Sequence, residues 1–184
     1  MASAFTHAAA ALALGTAFRR PGSPVRFWVA GALCAAIPDL DAVAFRLGIP
    51  YEHVLGHRGI SHSLAGASVL ASIVVVTAFR GPEWTDQRGR LWLYLFLATA
   101  SHGLLDMLTN GGHGVALFAP FDNGRYFFPS RPIEVSPLSI RRFFTERGAA
   151  VIASELRWIW LPAVAFAAIC VLARRPRRAR VERQ

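Results

Sequence analysis

The sequence contains no lysine: all 20 of its basic residues are arginine. Charge of either sign is scarce, at 17% of 184 residues, and only 11 residues are acidic, which leaves a formal net charge of +9. So little charge excludes a disordered chain and argues against an ordinary soluble domain. There are two cysteines, Cys34 and Cys170, each inside an apolar run. They make neither a disulfide framework nor a metal-type pair, and read as small core or lipid-facing residues. The arginines are scattered through loops and one tail. That pattern points to anionic lipid headgroups and membrane orientation, and no nucleic acid partner is expected. There is also no internal repeat and no low-complexity linker.

What the sequence has in abundance is apolar surface, with 54% hydrophobic residues and a mean hydropathy of +0.37. Five apolar stretches stand out, at 2–18, about 27–45, 63–79, 91–108 and 156–173. Each is close to the roughly 20 residues that a helix needs to cross a bilayer core of about 30 Å. The expected fold is therefore all-α, a polytopic membrane bundle of about five transmembrane helices. The first stretch has the length of a signal peptide. Its arginines follow the apolar run instead of preceding it, so it is read as a retained helix.

Arg19, Arg20 and Arg26 fall between the first two stretches, Arg80, Arg88 and Arg90 between the third and fourth, and six arginines follow the fifth. With five spans these regions share one side. The positive-inside rule makes that side cytoplasmic, with the N-terminus outward. The segment 110–155 carries Pro120, Pro129, Pro132 and Pro137 with interleaved aromatics such as Phe121, Tyr126, Phe127 and Phe128. It reads as an ordered lid with a short amphipathic helix near 138–148. The expected organisation is one membrane-embedded unit over 1–173 and a basic cytoplasmic tail over 174–184.

All six histidines, together with Asp39, Asp41 and Asp106, fall in spans or loops assigned to the outward side. Ionisable groups in a membrane cost several kcal/mol unless paired, hydrated or bound to a cation. His102 and Asp106 stand four residues apart, on one face of a helix. Pro38-Asp39-Leu40-Asp41 sets two carboxylates at a helix end, and His57-Arg58-Gly59-Ile60-Ser61-His62-Ser63 adds two imidazoles, an arginine and hydroxyls. Imidazole with carboxylate is the donor mixture of hydrolytic metal sites, which lower the pKa of bound water toward 7. The blander alternatives are interhelical hydrogen bonding for His7 and for the His102–Asp106 pair, a cap or an Arg58 ion pair for Asp39, and solvated loop positions for His53 and His113.

Thr6-His7, Pro38-Asp39-Leu40-Asp41, the His57–Ser63 block, His102-x-x-x-Asp106 with Thr109, and the later Pro120-Phe121 and Arg125 resemble the YdjM-type membrane-bound metal-dependent hydrolases, a LexA-regulated inner-membrane family. The resemblance covers about residues 1–140. That family is in turn distantly similar to zinc-dependent phospholipase C and P1-type nucleases. The resemblance implies His7, Asp39, His62, His102 and Asp106 as metal ligands, with Asp106 bridging if two ions bind. His57 and His113 are possible additional ligands. The chain lacks the second His-x-x-x-Glu pair of the soluble enzymes, which leaves one or two ions, with zinc expected. The implied function is hydrolysis of a phosphoester of a lipid or lipid-linked substrate. Asp39 or Asp41 would be the catalytic carboxylate, and Arg58 and Arg125 would bind the phosphate. The competing classes are a metal-binding or transport protein and a non-catalytic membrane interaction protein.

Overall fold

A computed structural model describes residues 1–137 and 139–174. Helix α1 spans Ala4–Phe18. Helix α2, Val25–Ala36, passes through a 3-10 segment, Ile37–Ala42, into a single turn, α3, Val43–Arg46. Helices α4, Leu64–Ala78, and α5, Arg88–Met107, follow. After a long irregular segment come the short α6, Ile140–Phe143, and then α7, Glu146–Glu155, a π-turn at Leu156–Trp160, and α8, Leu161–Ala173. No strand forms among the described residues; Thr109–Ile133 and Val115–Tyr126 are isolated bridges.

Local chemistry sets several of these boundaries. Pro24 stands immediately before α2, where its missing N–H costs nothing. Pro38 cannot donate to the α2 ladder, and the backbone tightens there into the 3-10 segment that carries Asp39 and Asp41. The Ser63 hydroxyl accepts the Gly66 N–H and starts α4 directly after His62.

Helix α5 is the centre of the bundle, packed on α1, α2 and α4, and α8 packs on α1. The core joins small residues (Ala11, Cys34, Ala35, Ala71, Ala98) to large ones (Phe27, Phe79, Trp84, Tyr94). Small residues let helices approach closely. Gly31 is an extreme case, since a Cβ there would stand 1.8 Å from the Tyr94 hydroxyl oxygen.

The expectation of five spans is corrected to two helices long and apolar enough to cross a membrane, Val25–Arg46 and Glu146–Ala173. The apolar helices α1 and α4 have 15 residues each, which at 1.5 Å per residue reach about 22 Å, short of the hydrocarbon core. Helix α5 has 20 residues but carries Arg88, Arg90 and Asp106. The last helix starts ten residues before the predicted 156, so the C-terminal part of the expected lid, from Glu146, is helix continuous with the span. The short helix expected near 138–148 is split between α6 and the start of α7. No residue of α8 is buried, and Leu161, Val164, Ile169 and Leu172 are all exposed, as a lipid-facing surface requires.

The α1–α2 and α4–α5 connections and the end of α8 lie together. Arg19, Arg20, Arg90 and Arg174 line one cleft there, and Arg90 and Arg174 donate to backbone carbonyls at the end of α1. The start of α1, the end of α2, the start of α4 and the end of α5 form the other end, where the histidines collect. The tail beyond Arg174 lies outside the described residues.

Candidate metal centre

Four ligand atoms, one each from Asp39, His62, His102 and Asp106, lie within 4.8 Å of one another. They come from the 3-10 segment after α2, the turn before α4 and the last two turns of α5. His102 Nε2 is 3.2 Å from Asp39 Oδ1 and 3.0 Å from His62 Nε2. His62 Nε2 is 3.7 Å from Asp106 Oδ2 and 3.9 Å from Asp39 Oδ1. A tetrahedral ion with bonds of 2.0–2.1 Å separates its ligand atoms by about 3.3 Å, so these donors already stand near the edges of such a shell.

The partners on the far side of each ring fix its tautomer. His102 Nδ1 is 2.6 Å from the Ala35 carbonyl oxygen, which can only accept, so Nδ1 carries the proton. His62 Nδ1 faces the Asp41 carboxylate at 3.0 Å and the Ser61 hydroxyl at 3.1 Å, and carries its proton too. In the neutral rings, both Nε2 lone pairs then point at each other across 3.0 Å. That arrangement is repulsive unless a cation or a proton lies between them. Burial first, and His102 second, lower the His62 imidazole to about 4, so it is neutral at pH 7 and offers its lone pair.

His7, on the first turns of α1, is fully buried and stacks on His102 with ring centroids 3.7 Å apart. Its Nε2 is 3.5 Å from Asp106 Oδ1. Neither ring nitrogen of His7 and neither carboxylate oxygen of Asp39 makes a hydrogen bond among the described residues. Buried polar atoms are almost always satisfied. Several unsatisfied atoms converging on one place, beside His62, His102 and Asp106, form a group that could hold a cation.

Asp41 sits one step outside this cluster. It accepts from the Arg58 backbone N–H at 3.0 Å and from Ser61, and holds His57 Nδ1 at 2.5 Å as well as His62. A carboxylate behind a ligating imidazole fixes its orientation and raises its basicity. His57 is turned to Asp41, and His113 is exposed and paired with Glu52 at 3.3 Å, so neither joins the cluster.

Both arginines assigned to substrate phosphate are engaged by the protein instead. Arg58 is 1% exposed; its Nε is 2.9 Å from Asp106 Oδ2, and its other nitrogens donate to the Gly111 carbonyl and to Thr109. It holds φ of 60°, rare for a residue with a side chain, kept there by the Asp41 contact and by Ala116 N–H and Arg125 on its carbonyl. Arg125 donates to the carbonyls of Tyr51, His53, His57 and Arg58, tying the 51–58 loop together. The Arg58 charge is paired with Asp106, and the Arg125 guanidinium faces loop carbonyls.

The family model of the YdjM inner membrane proteins matches residues 1–179. The chain belongs to the YdjM inner membrane protein family. It is also 40% identical over 164 residues to the inner membrane protein YbcI of Escherichia coli (strain K12), covering 88% of this chain and 92% of YbcI. No solved structure gives a significant match. Membership in the YdjM family brings membrane residence with it, in keeping with the bare apolar face of α8.

Two structural residues of this YdjM-family site went unread in the sequence. In the sequence Gly103 carries no signal beyond following His102, and Glu155 none beyond its charge. Each acts through contacts with distant parts of the chain, His62 for one and Ser3 and Thr6 for the other.

Proposed function

We propose that this chain is a membrane-bound, metal-dependent hydrolase acting on a phosphoester of a lipid or lipid-linked molecule. The observation that carries the reading is the convergence of the unpartnered His7 ring nitrogens and Asp39 carboxylate oxygens with Asp106 and the two facing imidazoles of His62 and His102. Asp39, His62, His102 and Asp106 are the ligand set, with His7 completing it. Asp39 and Asp106 against Arg58 leave one net negative charge, which suits a divalent cation. The mixed imidazole and carboxylate donors suit zinc. Asp106, with Oδ1 toward His7 and Oδ2 toward His62, would help hold the one or two ions, while the Ala2 N–H and Arg58 fix its orientation. A bound divalent cation supplies Lewis acidity and a lower pKa for water at neutral pH.

The chain's own residues do the rest. Asp39, whose oxygens make no hydrogen bonds, orients the attacking water and accepts its proton. Asp41, fully engaged, serves as the orienting partner of His62 in place of the catalytic role given to it on sequence. Arg58 holds Asp106 ionised and in place. A lipid substrate is supported by an apolar cleft walled by Pro38, Ile60, Ala65, Val69 and Phe121, which runs along the exposed face of α4 and reaches Ser61 and the start of the Asp39 segment. It accepts the hydrocarbon part while the phosphoester reaches the centre. The arginine end of the bundle is assigned to the cytoplasm, which leaves the site facing outward, within one hydrolase-like unit over 1–173.

The test is turnover. Purified protein in lipid vesicles, supplied with Zn²⁺, is expected to release phosphate or headgroup from a panel of lipid phosphoesters, to stop on chelation, and to lose activity in His102→Ala. Metal-loaded protein that cleaves none of them would return the reading to metal binding without hydrolysis.

A further inference from the structure

Glu155 is a carboxylate buried to 1% exposure inside the candidate span Glu146–Ala173. A charge there is costly unless it is fully partnered. Its partners are all on the start of α1: Ser3 N–H at 2.5 Å, Ser3 Oγ at 2.6 Å and Thr6 Oγ1 at 2.8 Å. The π-turn that begins directly after Glu155 brings Trp160 round so that its indole N–H donates to the same Thr6 hydroxyl at 2.8 Å. Extra-residue turns of this kind recur at functional sites. Ser3 is the residue before α1, and its side chain does not cap the helix; the Glu155 carboxylate takes its free backbone N–H instead.

The next residue after Thr6 is His7. Its ring makes no hydrogen bond of its own, so nothing but the α1 backbone and the stack on His102 aims it at Asp106. We propose that Glu155 is the positioning residue of the metal centre: by clamping Ser3 and Thr6 it fixes the register of the first turn of α1 and thereby sets His7 as a ligand. This rests on the metal-centre reading above, and it assigns a role to a residue from the far end of the chain that touches no ligand atom.

The experiment is a double-mutant cycle read by Zn²⁺ titration of purified, metal-stripped protein in detergent. Glu155→Gln keeps the shape and removes the charge. Glu155→Gln is expected to weaken Zn²⁺ binding by about 10- to 100-fold, the usual effect of removing an outer partner, and His7→Ala, which removes a ligand, by at least as much. The double variant should bind no more weakly than His7→Ala alone, because Glu155 acts through His7. With Co²⁺ in place of Zn²⁺, the visible spectrum of Glu155→Gln should move toward that of His7→Ala, which a general loss of stability would not do. Should Glu155→Gln not fold, Thr6→Val breaks the same clamp and carries the same expectations. Wild-type affinity in Glu155→Gln, or effects that multiply in the double variant, would overturn the proposal. Wild-type protein that takes up no Zn²⁺ would overturn the metal centre itself, and with it this role.

Discussion

Gly103 and the His62 carbonyl are in such close approach that a Cβ on Gly103 would stand 2.5 Å from the His62 oxygen. The residue following a candidate ligand on α5 is thus what lets the turn carrying the second candidate ligand lie against the helix. The 3.0 Å spacing of the two imidazoles depends on that missing methyl group.

Gly103→Ala should therefore displace the 60–62 turn and weaken Zn²⁺ binding, by about tenfold or more on the scale of lost orienting contacts. Gly89, on the first turn of the same helix, has open space where its Cβ would be. Gly89→Ala should leave metal binding unchanged and raise stability slightly, by about 0.5–1 kcal/mol. Paired metal titrations and thermal melts check both.

Arg58 and Asp106 form an ion pair with both side chains almost wholly buried. Removing one partner of such a pair leaves an uncompensated charge and costs about 3–5 kcal/mol. Arg58→Leu should accordingly lower the unfolding free energy of the metal-stripped protein by that order. Arg26 pairs with Glu83 at the opposite end, where both are about half exposed. Arg26→Ala should cost much less than Arg58→Leu. Equal losses in the two variants, measured by denaturant unfolding in detergent, would remove Arg58 from the centre.

Topology is checked by reporter fusions. One at Arg20, in the arginine end before the span Val25–Arg46, should read cytoplasmic, and one near Asn123, between the two spans, should read external. Both reporters on one side would contradict the outward-facing site.

That Asp39, His62, His102 and Asp106 come together was legible in the sequence because ionisable groups are anomalous where these stand. His7, His102 and Asp106 interrupt apolar helices, and such residues demand a reason. It disclosed the spans less well. Hydropathy alone does not show that α1 and α4 stop at 15 residues, nor that Glu155 is satisfied by hydrogen bonds from Ser3 and Thr6 inside the helix that begins at Glu146. The arginines were harder still. Arg58 and Arg125 had the charge a phosphate needs, but their acceptors are Asp106 and loop carbonyls up to 74 residues away, which no local pattern records.

The central claim is that the His–Asp cluster at the end of α5 holds a divalent cation. The most direct measurement is metal content per chain by elemental analysis of purified wild-type protein, His102→Ala and Asp106→Ala, all equilibrated with Zn²⁺ and then freed of excess. One or two ions per wild-type chain, and near none in either variant at unchanged helical content, is the predicted result. Wild-type protein without a stoichiometric ion, or variants that keep it in full, would contradict the account.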